Sequence, residues 1–151
     1  IIFMFIKYRI FGLVSNISLI ANLFMMIGIL TILEATLTLP GIAGIILTVG
    51  MAVDSNVLIY ERIKEELKTE KSIIHAFDTG YNKAKITVID ANVTTLIAAV
   101  ILFVFGSGPV KGFAVTLGIG ISTTLFSAYF IARHLTSLVV LNDKSGKYFN
   151  L

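Results

Sequence analysis

The sequence has no cysteine, so disulfide staples, thiol nucleophiles and thiolate-ligated zinc are excluded. Histidine is almost as scarce. His75 and His134 are the only two, far apart in the chain, and a histidine-based metal centre lacks the ligands to form. Charge is thin as well: 14% of the 151 residues are Asp, Glu, Lys or Arg, where a water-soluble domain carries about a quarter. Twelve basic residues against nine acidic ones leave a formal charge of +3. No basic stripe with interleaved aromatics accompanies that excess, so a nucleic-acid surface is excluded too. No catalytic group, metal site or cofactor motif remains, and any chemistry falls to carboxylates, amides and hydroxyls.

What the chain has in quantity is apolar surface, with 56% hydrophobic residues and a mean hydropathy of +0.93. A water-soluble domain of this length needs a charged coat that these residues cannot provide, so its solvent is a bilayer. Four stretches reach the about 20 mostly apolar residues that a crossing helix needs: 13–33, 41–60, 86–105 and 112–132. None has the layout of a secretory signal. Ahead of them, Ile1 to Ile6 reads as the end of a truncated helix. Lys7, Arg9, Arg62, Lys64, Lys68, Lys71, Lys83, Lys85, Arg133, Lys144 and Lys147 fall on one side of these crossings and Lys111 alone on the other, eleven against one. The positive-inside rule makes the rich side cytoplasmic.

The predicted fold class is therefore an all-α, polytopic membrane bundle. It divides into a helix end and cytoplasmic turn at 1–10, two crossings with a short periplasmic turn at 11–60, and an amphipathic cytoplasmic connection at 61–85. Two more crossings follow at 86–135, then a cytoplasmic tail at 136–151. In the connection, Ile63 and Leu67 are four apart, Ile73, Ile74 and Phe77 cluster, and Glu65 and Lys68 form an opposite-charge pair at helical spacing. Ser72 as N-cap and Gly80 as stop predict a separate short helix from Ser72 to Thr79 at the interface. His75 reads as an ordinary interfacial residue, and His134 as a group at a helix C-terminus without a functional role.

Lipid gives apolar helices no hydrophobic reason to associate, so close packing relies on small residues. Gly41, Gly44, Thr48, Ala52 and Ser55 step by three or four along the second crossing, and Gly112, Thr116, Gly120, Thr124 and Ser127 do so along the last. Gly50, one turn before Asp54, is expected to leave a notch beside that carboxylate.

The crossings contain two acids. An ionised Asp in a bilayer costs at least about 2.5 kcal/mol. Asp54 lies roughly 9 Å inside the cytoplasmic end of its crossing and Asp90 roughly 6 Å inside the same boundary. A carboxylate kept from water takes up a proton more readily, and a second acid nearby reinforces this. Asn56, Asn92, Thr94 and Thr95 supply polar groups to hold water or share the proton. The candidate proton pathway is thus Asp54, Asp90, Asn56, Asn92 and Thr94. Asp90 has a second reading, since an acid in the first turns of a helix also offsets the positive helix end. Oxygen donors around Asp54 also leave sodium open as the coupling ion.

Two blocks of sequence resemble a known family. Thr38-Leu-Pro-Gly-Ile-Ala-Gly44, running into Thr48-Val-Gly-Met-Ala-Val-Asp-Ser-Asn-Val-Leu-Ile-Tyr-Glu-Arg-Ile-Lys-Glu-Glu66, is similar to the signature of the SecD branch of the SecD/SecF protein-export family, with Ser55 in place of the more usual alanine. Asp90-Ala-Asn-Val-Thr-Thr-Leu96 and Gly108-Pro-Val-Lys-Gly-Phe-Ala-Val-Thr-Leu-Gly-Ile-Gly120 resemble its later membrane motifs in order and spacing. The resemblance covers nearly the whole chain.

It implies half of a resistance-nodulation-division type transporter fold, of which this chain holds four full helices and the end of a preceding one. It implies pairing with SecF in the bacterial inner membrane, work beside SecYEG and YajC, and a functional link to SecA. The proton motive force would drive a large periplasmic domain that draws exported polypeptide from the channel. Asp54 matches the family's membrane aspartate, with its charged counterparts on SecF. Rival readings are an exporter of small molecules or lipids with the same fold, and an intramembrane aspartyl protease, which requires a Gly-x-Gly-Asp pattern where this chain has Met51-Ala-Val-Asp54.

Overall fold

The computed structural model describes residues 2–69 and 72–142. They form α1 (Ile2–Ile32), α2 (Leu39–Leu67), α3 (Ile73–Phe105) and α4 (Pro109–Phe126), the last continuing through a π-helical turn (Ser127–Ala132) into α5 (Arg133–Asn142). Four helical rods are long and apolar enough to cross a membrane, and no strand occurs among the described residues. The part of the expected tail beyond residue 142, with Lys144 and Lys147, lies outside them, as does Lys71.

Local chemistry sets where the rods begin. Thr38 is extended (φ −89°, ψ 162°), its hydroxyl accepts from the Gly41 N–H at 3.1 Å, and Pro40 sits in the first turn where no amide donor is needed. Pro109 opens α4 in the same way after Gly108, whose φ of +51° suits a residue without a Cβ. Arg9 breaks α1 with φ 48° and ψ −112°. Residues 2–8 fold back there, so that Gly12 lies against the Met4 carbonyl. Tyr8 is buried and donates to Glu61 Oε1 at 2.7 Å, and Lys7 Nζ stands 3.0 Å from the same oxygen.

Two expectations for segment 61–85 need correction. α2 runs past Tyr60 to Leu67 and α3 begins at Ile73, so most of the connection is the protruding ends of two crossing helices. Ser72 to Thr79 is no separate helix. Ser72 does precede the helix, although its side chain makes no capping bond. Gly80 does not stop it. Glycine inside a helix costs about 1 kcal/mol, but here it lets α2 and α3 approach: a Cβ at Gly80 would stand 2.7 Å from Ile63 Cα and 3.0 Å from Ile63 N. Lys83 closes the same hairpin, its Nζ 2.8 and 3.0 Å from the Glu66 carboxylate oxygens, and Arg62 reaches Glu65 and Glu66 at 2.8 and 3.1 Å. The hydrogen bond from Lys83 holds the Glu66 carboxyl below its ordinary range. The pair therefore supports the hairpin above the usual carboxylate pKa and is lost as the pH falls through the lowered one.

Gly80→Ala is expected to destabilise the bundle by about 1–3 kcal/mol, because the added methyl meets backbone that cannot turn aside. That exceeds the propensity gain of alanine. A lowered melting temperature of the detergent-solubilised protein is the check; an unchanged or raised one contradicts the close approach.

α2, α3 and α4 pack on one another, and the broadest interface of α2 is with α4. That interface is a run of threonines set into glycines. A Cβ on Gly112 would meet Thr38 Oγ1 at 2.5 Å, one on Gly44 would meet Thr116 Cβ at 3.3 Å, and one on Gly120 would overlap Thr48. Small residues thus fix how closely the two rods lie. α1 is clasped to the other face of the last rod by polar contacts. The Ser18 and Ser127 hydroxyls are 2.6 Å apart, Ser127 Oγ donates to the Ser18 carbonyl at 2.8 Å, and Asn22 Nδ2 donates to Thr124 Oγ1 at 3.1 Å.

Candidate functional site

Asp54 opens on a groove of about 250 Å³ between α2 and α3, lined by Met51, Asp54, Ser55 and Leu58 from one helix and Val88, Ala91, Asn92 and Thr95 from the other. Three polar side chains along it donate to their own helices. Ser55 Oγ donates to the Met51 carbonyl at 2.9 Å, Asn92 Nδ2 to Val88 at 2.7 Å and Thr95 Oγ1 to Ala91 at 3.1 Å. Among the described residues no side chain donates to the Asp54 carboxylate. It is exposed on the outer face of the helix pair, so the shielding expected of this carboxylate is not supplied by the described residues.

The remaining predicted residues separate. Asn92 joins Asp54 in the groove, but Asp90 and Thr94 are exposed outside it, and the Thr94 hydroxyl donates at 3.0 Å to the Asp90 backbone carbonyl. Asn56 is buried away from the groove, and its Oδ1 has no hydrogen-bond partner among the described residues. The cause is helical geometry. Residues two apart differ by about 200° around the axis, so Asp54 and Asn56 cannot face the same way, nor can Asp90 and Asn92. An aspartate dyad sharing one proton needs both carboxylates at one point, and this groove holds one.

The glycines also divide. Gly112 and Gly120 lie against Thr38 and Thr48, whereas a Cβ on Gly50 would meet no described atom within 4 Å. One turn from Asp54, Gly50 is exposed, and among the described residues no other helix fills the notch.

A further polar feature was not visible in the sequence. The π turn Ser127–Ala132 widens the last rod and loosens its hydrogen-bond ladder, and neighbouring helices supply donors to its carbonyls. Tyr81 OH of α3 donates to Ala128 at 2.5 Å, and Ser18 Oγ of α1 to Ser127 at 3.3 Å. Ser15, Ser18 and Asn22, at helical spacing and all buried, were the available signal on α1. Tyr81 had none. Tyr81→Phe leaves the Ala128 carbonyl buried without that donor and is expected to cost about 1–3 kcal/mol. Thermal unfolding in detergent measures it, and a variant as stable as the parent refutes the clamp.

The family model described as protein export membrane protein SecD/SecF, C-terminal, matches residues 1–142. The protein translocase subunit SecD of Magnetococcus marinus is 51% identical over 144 residues, covering 95% of this chain and 27% of the relative. That of Desulfurispirillum indicum is 55% identical over 141 residues, covering 93% and 27%. The chain thus spans about a quarter of the length of these relatives. The crystal structure of SecDF, a translocon-associated membrane protein from Thermus thermophilus, superposes with a TM-score of 0.90 at 42% identity, covering 93% of this chain and 20% of that one. A second SecDF structure, in a super-membrane-facing form, gives 0.88 at 43% identity, with 92% and 19% covered. With the helical membrane bundle, the whole-length family match and relatives above half identity all in agreement, this chain belongs to the SecD/SecF family of protein export membrane proteins.

Proposed function

We propose that the chain is the membrane part of a SecD-type translocase subunit, which uses the proton motive force to assist export of polypeptide across the bacterial inner membrane. The supporting observation is Asp54: an acid in a crossing helix, exposed on the bundle's outer face, with no partner among the described residues. Left against lipid, it would carry the cost of a bare charge. A facing protein surface removes that cost, and a SecF-type half is the surface proposed here. Protonation of Asp54 then switches the charge at this boundary on and off. Each charge moved across 100 mV releases about 2.3 kcal/mol, enough to shift a two-state helix arrangement more than tenfold.

In this reading SecYEG is the channel served, SecA acts before this subunit, and YajC is an accessory neighbour. No catalytic step, metal or cofactor is required, only a coupling ion. The proton is the coupling ion of this reading; sodium is its alternative, because the Ser55 and Thr95 hydroxyls donate to their own backbones and keep their oxygen lone pairs free beside Asp54.

Complementation tests the reading. In cells depleted of their own SecD, a SecD whose membrane part is replaced by this chain is expected to restore export of a periplasmic reporter, and a protonophore should cancel the rescue. Rescue that survives the protonophore but fails without sodium would reassign the ion. Drug or lipid efflux without restored export would favour the small-molecule exporter instead.

A further inference from the structure

The cytoplasmic ends of α3 and of the last rod leave a groove of about 830 Å³ that shares no lining residue with the Asp54 site. Its walls change character with depth. Phe130, 64% exposed and stacked on Phe126 with ring centroids 4.8 Å apart, belongs to the apolar crossing that ends at residue 132. One turn further out stand Arg133 and His134, at the level of lipid headgroups if the apolar window marks the hydrocarbon edge.

Arg133 is held in place without being used up. Its Nη2 lies 3.2 Å from Asp78 Oδ1, and its guanidinium is 5.5 Å from the centroid of the Tyr81 ring. A guanidinium has five N–H donors in a fixed fork, so donors remain beyond the one given to Asp78. Lys85 adds a second cation nearby, 5.8 Å from the Tyr129 ring centroid. Within the lining Arg133 and Asp78 balance, and Lys85, outside the lining but beside its Tyr129 wall, adds one formal positive charge.

We propose that this groove binds one anionic phospholipid of the cytoplasmic leaflet. Its phosphate sits on Arg133 and His134, and an acyl chain lies along Phe130 and Phe126. The charge excess selects a net-negative headgroup over a zwitterionic one. The exposed phenylalanine one turn deeper is what distinguishes a lipid from a free anion, which would leave Phe130 unused. The site stands independently of the export reading, since none of its residues lines the Asp54 groove.

Native mass spectrometry of the protein in neutral detergent tests it, with phosphatidylglycerol, phosphatidylethanolamine and inorganic phosphate added in separate arms. Phosphatidylglycerol is expected to give a one-lipid adduct at least tenfold more abundant than phosphatidylethanolamine, and inorganic phosphate should neither bind comparably nor displace it. Arg133→Gln with His134→Gln is expected to lower adduct abundance at least tenfold, and Arg133→Lys to recover part of it. Phe130→Ser, which removes no charge and no core contact, should weaken the adduct as well. Equal binding of the two lipids, displacement by inorganic phosphate, or undiminished phosphatidylglycerol binding in both the double variant and Phe130→Ser would overturn the proposal.

Discussion

Asp54→Asn is expected to reduce gradient-dependent export at least tenfold, to the level seen without a proton gradient, while leaving the bundle folded. Asparagine matches aspartate in size, and Asp54 makes no hydrogen bond or ion pair among the described residues that the change would break. What disappears is the ability to alternate between charged and neutral. The bound on the effect comes from the energy supplied: about 2.3 kcal/mol per charge at 100 mV corresponds to more than a tenfold bias, and the variant forfeits it. Export of a reporter measured with and without a protonophore reads the result, with helical content and melting temperature as folding controls. Normal gradient-stimulated export by the variant would remove Asp54 from the mechanism. Asp90→Asn provides the contrast. Asp90 lies outside the groove, so its loss should matter much less, and an equal loss would mean that the pathway includes both acids.

The largest structural effect is expected at Gly120. Thr48 is fully buried, its hydroxyl bonded at 2.8 Å to the Gly44 carbonyl, and a Cβ on Gly120 would overlap that hydroxyl and come within 2.6 Å of the threonine methyl. Gly120→Leu adds a whole isobutyl group where one carbon has no room. The two helices must separate along their broadest shared face, at a cost of about 3 kcal/mol or more. Loss of folded protein in detergent, or a sharply lowered melting temperature, is the expected measurement. Gly50→Leu should leave the same unfolding curve unchanged, since among the described residues nothing stands within 4 Å of the added carbon. If Gly50→Leu unfolds the bundle as Gly120→Leu does, the division between inner and outer glycines is wrong.

That division also marks how far the sequence could be read. The four crossings and the small-residue faces of α2 and α4 were legible because each depends on a strong local pattern: apolar length for the first, three-and-four spacing of Gly and Thr for the second. Gly80 was misread because a glycine that stops a helix and one that admits a neighbouring backbone look the same in one dimension. Only the nearness of Ile63 separates them. The candidate site was half legible. Asp54 and Asn92 meet, whereas Asp90, Asn56 and Thr94 were grouped with them by depth alone, and depth does not fix angle around a helix. Tyr81 could not be found from sequence, because its role follows from a π turn 47 residues away.

That π turn has a consequence for the far end of the last rod. Six residues wound with an i to i+5 pattern contain more chain than an ordinary helical path between the same two points, so the segment stores slack. If the surplus were taken up as regular α-helix, every later residue would swing by about 100° around the axis. Thr136, completely buried and 3.4 Å from the Tyr60 hydroxyl, and Val140, in the core, would then turn outward. The irregular turn thus acts as a phase adjuster: it lets one continuous rod satisfy α1 with Thr124 before the defect and α2 with Thr136 after it.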